Sequence, residues 1–504
     1  IDFDGLSDRI VSLPISASNY YNVSCVGDKV YYIDYSDDHN AKLYDLEKKK
    51  ETVLGKFNFG ISANHNKMLV VQDRKWAVID LPTSKVTLDE TIDLSNMKVW
   101  VDYQAEWKQI YDESWRQMRD FFYVENMHGL DWKAMHEKYA VLVPHARHRD
   151  DLTYIIGELI GELNVGHAYV QSGDRPEPER IQTGLLGAKI SADPSGYFKI
   201  DEILNGANWN KGLRSPLKEV GINAKPGDYI IAVDGVSTQT TRDLFSLLVG
   251  KANKEVELTI NSKPSEAGAR QVLVTPIADE SSLYYYNWVQ TNIRKVNEAT
   301  NGEVGYIHVP DMGMNGLNQF TELFYPQLNK KGLIIDDRGN GGGNVSPMLI
   351  ERLQRVAQRA NIRRNATHPT PVPGQMMLGP KVLLIDRYSA SDGDLFPYAF
   401  KHYNLGTVIG TRSWGGVVGI SGSLPFIDGA ELNKPEFASY SSEKSEWIIE
   451  GYGVDPDIVL DNDPHQEYLG NDAQLEKAIE VIKEKVKTEY KPLPPVPEAP
   501  DKSK

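Results

Sequence analysis

Two glycine-rich segments, each following an apolar run of β type, hold the groups from which chemistry can be built: Gly332-Leu-Ile-Ile-Asp-Asp-Arg-Gly-Asn-Gly-Gly-Gly-Asn344 and Lys381-Val-Leu-Leu-Ile-Asp-Arg-Tyr-Ser-Ala-Ser-Asp-Gly-Asp394. Neighbouring strands of a parallel sheet deliver their following loops to the same carboxyl edge, where open α/β folds bind ligands. The two loops can therefore meet. Glycine lets backbone N–H groups of the first loop approach a substrate closely, and the second loop sets Ser391 where Leu395-Phe-Pro-Tyr-Ala-Phe400 opens a helix. A developing oxyanion would find donors from both sides.

A serine hydroxyl is a weak nucleophile and needs a base that titrates near neutrality. Of eleven histidines, His167 stands out. It follows the helical pattern ending near Leu163, inside Asn164-Val-Gly-His-Ala-Tyr169. Gly166 suits a tight turn there, and a short strand begins at Ala168. His145 and His148 lie one helical turn apart, but Pro144 and the neighbouring charges favour a solvated loop over a metal site. Asp336 and Asp337 resemble a metal-binding pair, yet next to Arg338 they read as an ion pair anchoring the glycine loop. Lys330 and Lys331 are ordinary charged gatekeepers before an apolar strand.

Four segments taken in order, Asn164-Val-Gly-His-Ala-Tyr169, Tyr388-Ser-Ala-Ser-Asp-Gly-Asp394, Gly410-Thr-Arg-Ser-Trp-Gly-Gly-Val-Val-Gly-Ile420 and Glu450-Gly-Tyr-Gly-Val-Asp-Pro-Asp457, resemble the protease core of the tricorn family, relatives of the C-terminal-processing peptidases. The resemblance spans essentially the whole chain. It implies a serine endopeptidase with Ser391 as nucleophile, His167 as general base and Glu450 as the acid that orients the base, directly or through a relay. Ser389 is the weaker candidate because the family serine directly precedes Asp-Gly-Asp. Backbone N–H groups of Gly342 and Asp392 resemble the oxyanion donors, with Gly341 and Gly343 as neighbouring alternatives. The lysine base of the processing relatives has a single nearby counterpart, Lys401, too close to Ser391 for their pattern. One departure matters: the family carries serine before the histidine, where this chain has Gly166. A Gly166→Ser exchange is expected to restore a relay if the backbone there does not need positive φ. The competing reading, favoured by Gly166, is a non-catalytic peptide-binding scaffold with a degenerate serine site.

The expected fold is multidomain α+β. Residues 1–100 hold short strand-like runs with a spacing from Val30 to Leu69 near the ~40-residue period of propeller blades, and are read as the last blades of a longer propeller. Trp107, Ile110, Tyr111, Trp115, Met118 and Phe122 recur at helical spacing, so residues 101–180 form a helical subdomain carrying His167. Residues 181–278 resemble a PDZ domain, in which Gly184, Leu185, Leu186 and Gly187 align with the loop that captures a peptide carboxylate. Strand and helix patterns alternate over 279–490, giving a βαβ subdomain with the nucleophile, and 491–504 is a Pro-rich tail.

The 504 residues carry 55 basic and 70 acidic side chains, a formal charge of −15 that disfavours nucleic acid and anionic membranes as partners. No apolar run approaches the ~20 residues of a membrane span. The single Cys25 excludes an intrachain disulfide, and no cofactor or metal is implied. The resemblance further implies peptide substrates, a homohexamer, downstream aminopeptidases and a cytoplasmic location, with a periplasmic or secreted one as the alternative. Family members that prefer basic residues before the cut use an aspartate supplied between the two catalytic loops. Val345 to Ile385 contains no aspartate, only Glu351, so apolar or acidic residues are expected there instead.

Overall fold

The computed structural model describes residues 3–5, 7–420 and 424–503. They divide into two compact units, one up to Asp102 and one from Tyr103 onward. The first unit is two antiparallel meanders. β1 (Tyr20–Val26), β2 (Lys29–Asp34), β3 (Asn40–Asp45) and β4 (Lys50–Gly55) form one sheet, and β5 (Asn58–Ile61), β6 (Lys67–Gln72) and β7 (Lys75–Asp80) the next. Val30 and Leu69 fall on the second strand of each, so the period read in the sequence joins equivalent strands of successive blade-like sheets. Alternating Tyr31, Ile33 and Leu43 meet Phe59, Met68 and Val70 in a shared core.

In the second unit α1 (Tyr103–Phe121), α2 (Trp132–Ala140) and α3 (Arg149–Gly161) pack their apolar faces together. Trp107, Ile110, Tyr111, Met118 and Phe122 are all buried, as their 3.6-residue spacing requires. His148 caps the start of α3, its Nδ1 accepting from Asp150 N–H at 3.2 Å, which gives His148 a structural role. The PDZ-like sheet is antiparallel, formed by β8 (Ala188–Ala192), β9 (Phe198–Ile203), β10 (Tyr229–Val233), β11 (Val256–Asn261) and β12 (Arg270–Val274), with β8 at its edge.

The site rests on a five-stranded sheet of β13 (Val304–His308), β14 (Gly332–Asp336), β15 (Lys381–Ile385), β16 (Gly406–Gly410) and β17 (Ile458–Val459), all parallel and adjacent in chain order. Right-handed crossovers that always step the same way put their helices on one face. That is where α5 (Met314–Phe324), α6 (Ser346–Leu353) and α7 (Asp392–His402) lie, over Leu333, Ile335, Leu383 and Ile385. The opposite face, Ile334, Val382, Leu384 and Ile409, is covered by α4 (Ser281–Ala299) and α8 (Ala473–Glu489), which lie outside the crossovers. Strands buried on both faces need continuous apolar runs, and these have them. Because the strand order never reverses, no switch-point crevice exists in this sheet. The loops after β14 and β15 meet instead because their strands are direct neighbours.

Asp336 at the end of β14 is paired as the sequence suggested. Arg338 Nε and Nη2 donate to its carboxylate at 2.9 and 2.6 Å, while Nη1 and Nη2 reach both oxygens of Asp472, the cap of α8, at 2.9 Å. Asp337 is outside this pairing: fully buried beside Asp336, it accepts from Asn340 Nδ2 at 2.9 Å, and burial pushes its carboxyl well up. Removing one member of a buried ion network leaves uncompensated charge. Arg338→Ala should therefore lower unfolding stability by about 3–5 kcal/mol in urea titrations. A loss below about 1 kcal/mol would mean that water reaches Asp336 and Asp472 once the guanidinium is gone.

Candidate active site

Ser391 occupies the turn between β15 and α7 with φ 58° and ψ −119°, a conformation that side-chain-bearing residues rarely adopt. Non-glycine residues persist there only where the surroundings hold them. The hold is visible: Asp394 Oδ2 accepts the Ser391 N–H at 2.9 Å, while the Ser391 carbonyl accepts Asp394 N–H at 2.8 Å. The turn also tolerates nothing larger nearby. A Cβ on Gly342 would sit 2.5 Å from Ser391 Cβ, and one on Gly393 would sit 2.7 Å from the Asn340 carbonyl. Glycine-rich loop and serine turn are thus in direct contact. Ser389 is fully buried, its Oγ donating to the Asp337 carbonyl at 2.8 Å and accepting Asp386 N–H at 3.1 Å. It is a strut of the turn, whereas Ser391 is half-exposed.

The two oxyanion candidates differ in state. Asp392 opens α7, and its carboxylate is turned away to accept Ser346 N–H at 2.8 Å, fixing the start of α6 beside the serine turn. Gly342 N–H donates to Asn340 Oδ1 at 2.9 Å, so its use as a donor requires exchange of that bond; Gly341 and Gly343 flank it. Lys401 points to the Asp455 carbonyl and the Asp457 carboxylate, both at 2.8 Å, and is engaged there.

His167 comes from the helical subdomain, on the stretch between α3 and Tyr169-Val170, which pairs with Leu432-Asn433. Its ring is packed edge-on to Trp414 at 5.5 Å, and its Nδ1 lies 3.1 Å from the Tyr169 hydroxyl. Trp414 N–H in turn donates to the Ser389 carbonyl at 3.0 Å, which joins the histidine's neighbour to the serine turn. No His167–Ser391 hydrogen bond is made among the described residues, a common feature of unliganded sites whose contacts tighten on the substrate. Burial holds the His167 pKa below the ordinary histidine value, partly offset by the negative charge of Glu450. The ring is consequently neutral at neutral pH and able to accept a proton.

Among the described residues Glu450 accepts only backbone donors: Gly166 N–H at 2.8 Å on Oε1, and Val417 and Val418 N–H at 2.6 and 2.9 Å on Oε2. It clamps the turn before His167 to the loop after Trp414. Asp394 holds the same loop from the other side, accepting Gly415 N–H at 2.8 Å. Gly166 does not have positive φ, so conformation does not forbid a serine. Contact does: a Cβ there would lie 2.6 Å from Gly416 Cα, backbone against backbone. The expected relay-restoring Gly166→Ser exchange would first have to push the Trp414 loop away. The hydroxyl beside the imidazole is supplied by Tyr169, two residues after the histidine, a contribution the sequence reading passed over.

In the carboxylate-type loop, Gly184 and Leu185 N–H are already spent on the Leu248 and Ile277 carbonyls at 2.9 and 2.8 Å, and Leu186 is a core side chain. Gly187, at φ +69°, donates its N–H to Glu280 Oε1 at 2.7 Å.

Three family models match this chain: the tricorn protease C1 domain over residues 103–161, the tricorn protease PDZ domain over 184–279 and peptidase family S41 over 303–460. It is 34% identical over 95% of its length to tricorn protease homolog 1 of Streptomyces coelicolor, covering 47% of that protein. With the tricorn protease of Thermoplasma volcanium it shares 35% identity over 86% of its length and 41% of that protein. A putative tricorn-like protease C-terminal subunit of Sulfurisphaera tokodaii is 32% identical over 95% of the chain and 57% of its own length. A crystal structure of the tricorn protease superposes with a TM-score of 0.85 at 30% identity, over 94% of this chain and 47% of the other. The chain spans about half the length of the curated relatives it matches. With three family models matched in order along the chain and the superposition extending over 94% of it, the chain belongs to the tricorn protease family.

Proposed function

We propose that this chain is a serine endopeptidase in which Ser391, His167 and Glu450 form the reacting constellation. The observation that supports the reading best is the strained Ser391 turn, held by Asp394 and touched by Gly342, in a peptidase family S41 domain. Ser391 Oγ attacks the scissile carbonyl while His167 takes the hydroxyl proton and later returns it to the leaving amine. Amides at the start of α7 and in the Gly341–Gly343 loop, Asp392 and Gly342 foremost, receive the oxyanion. Glu450 acts through the backbone and through its charge, and Tyr169 fixes the imidazole from the Nδ1 side. The reading needs neither metal nor cofactor as a reactant. The family resemblance supports peptide substrates, assembly into a hexamer, onward degradation by aminopeptidases and a cytoplasmic location. Among the described residues no helix is long and apolar enough to cross a membrane.

Labelling with a fluorophosphonate tests the nucleophile without knowledge of the substrate. The parent chain should be modified at Ser391, and Ser391→Ala should lose both labelling and peptide cleavage with its melting temperature unchanged within the effect of one surface hydroxyl. Labelling that survives the exchange assigns the chemistry to another residue, and a folded parent that never labels favours the scaffold reading.

The base must be neutral to act, so kcat/KM should rise with pH through the His167 pKa and be fully present above it. Burial lowers that pKa, placing the acidic limb below the usual value of about 6.5. In Glu450→Gln the charge that raises it is lost, so the limb should move further toward acid. At the same time kcat should fall, because one end of the new amide presents N–H to backbone donors, at a cost of about 1–3 kcal/mol. A limb above the ordinary histidine range, or one that moves up in the variant, contradicts this electrostatic assignment.

Substrate preference follows from the acids available near the loops. Glu351, the acid between Val345 and Ile385, is turned to Arg355, just past the end of α6, at 3.0 Å and is more than half exposed. An already paired, hydrated carboxylate offers little to an incoming cation. In a fluorogenic library varying only the residue before the cut, apolar residues should exceed Arg and Lys by about tenfold or more in kcat/KM. Preference for the basic residues would place an unrecognised acid in the pocket.

A further inference from the structure

The PDZ-like module carries the loop that in such modules receives a terminal carboxylate, and in this structure a carboxylate is already there. Glu280 is the residue before α4. A carboxylate in that position ordinarily turns back onto the first amides of its own helix. Glu280 makes no such bond. That duty falls to Asp279, which accepts Ser281 N–H at 2.7 Å. The Glu280 side chain reaches the other way, into the glycine loop. Gly187 N–H donates to Oε1 at 2.7 Å; burial raises the Glu280 pKa, and the Gly187, Ala188 and Leu186 amides oppose that rise. Three successive amides turned to one anion make a backbone nest, and positive φ at Gly187 provides the turn.

The occupant is held by more than this bond. Leu283, one turn into α4, is buried so closely that a Cβ on Gly187 would meet its Cδ1 at 3.3 Å. Asn287 exchanges hydrogen bonds with the Asn205 backbone at 3.0 and 2.8 Å, and Ser282 Oγ donates to the Gly212 carbonyl at 3.0 Å. The loop thus docks on a helix that also covers the sheet bearing the serine turn. A peptide terminus would have to displace a tethered carboxylate whose effective concentration is of millimolar order or higher. It could not share the nest, because two anions would then compete for the same donors.

We propose that the ligand of this loop is the chain's own Glu280, which closes the PDZ-like module to peptide C-terminal carboxylates and uses the nest to fasten the module to α4. The inference goes beyond the peptidase reading and stands independently of it. It replaces the sequence-based expectation that Gly184 to Gly187 capture a peptide terminus.

The test uses the full chain carrying Ser391→Ala, so that no peptide is turned over. Fluorescence anisotropy is recorded with a labelled hexapeptide ending in valine, as the free acid and as the C-terminal amide. The parent loop should not distinguish the two. Glu280→Ala should bind the free acid at least about tenfold more tightly than the amide. Sodium acetate, against sodium chloride at equal ionic strength, should raise the melting temperature of Glu280→Ala and leave the parent unmoved, because acetate refills the nest. If the alanine variant fails to fold, Glu280→Gln, which keeps the volume and one acceptor, carries the same two measurements with a smaller gain. A parent chain that prefers the free acid by about tenfold, or a folded variant that gains neither preference nor acetate stabilisation, overturns the proposal.

Discussion

The site depends on one carboxylate that, among the described residues, is held by backbone amides and by no cation. Glu450 gathers three backbone amides from two segments, Gly166 on one side and Val417 with Val418 on the other. A half-buried carboxylate that accepts several N–H bonds is stable without a counter-ion, and each bond fixes backbone rather than a flexible side chain. The same device recurs around the serine. Asp394 joins Ser391 N–H to Gly415 N–H, and Asp392 joins the start of α7 to the start of α6. Burial raises the pKa of both acids, and the Ser346 and Ser413 hydroxyls together with backbone amides oppose it. Three loops are thus welded through acids, and the imidazole of His167 is set by the loop they carry.

Such welding requires backbones closer than side chains permit. A Cβ on Gly415 would lie 2.4 Å from Gly453 N, and one on Gly453 would lie 2.3 Å from the Ser413 carbonyl. The glycine content of these segments is therefore set by contact as much as by conformation. Gly166 belongs to the same set. Its lack of a side chain, which at first sight weakens a relay, is what lets the Trp414 loop lie against the histidine turn, while Tyr169 provides a hydroxyl from a different direction.

Much of this was legible in the chain. Apolar runs at Gly332–Asp336 and Lys381–Ile385 announce buried parallel strands, and the helical spacing of Trp107 to Phe122 marks a buried face. The preference for Ser391 over Ser389 rests on the pattern, and the buried hydrogen bonds of Ser389 support it. What escaped has a common cause. Asp392, Asp394, Glu450 and Glu280 act on backbone amides, and an amide leaves no residue type to recognise. The helices α4 and α8 were passed over because they stand outside the alternation of strand and crossover that marks the sheet. The reversal concerning Gly166→Ser was hidden for a similar reason: φ can be guessed from local sequence, but the proximity of Gly416 cannot.

The positions of the welded residues along the chain bear on the protein's synthesis. His167 lies before the PDZ-like module, Ser391 well after it, and Glu450 close to the last strand of the sheet. A chain emerging from the ribosome in order can build its helical subdomain, its PDZ-like sheet and the serine turn while the histidine turn still lacks its clamp. The constellation closes only once Glu450 has left the exit tunnel and found Gly166. The order of residues alone thus leaves the histidine turn without its clamp until Glu450 has been made.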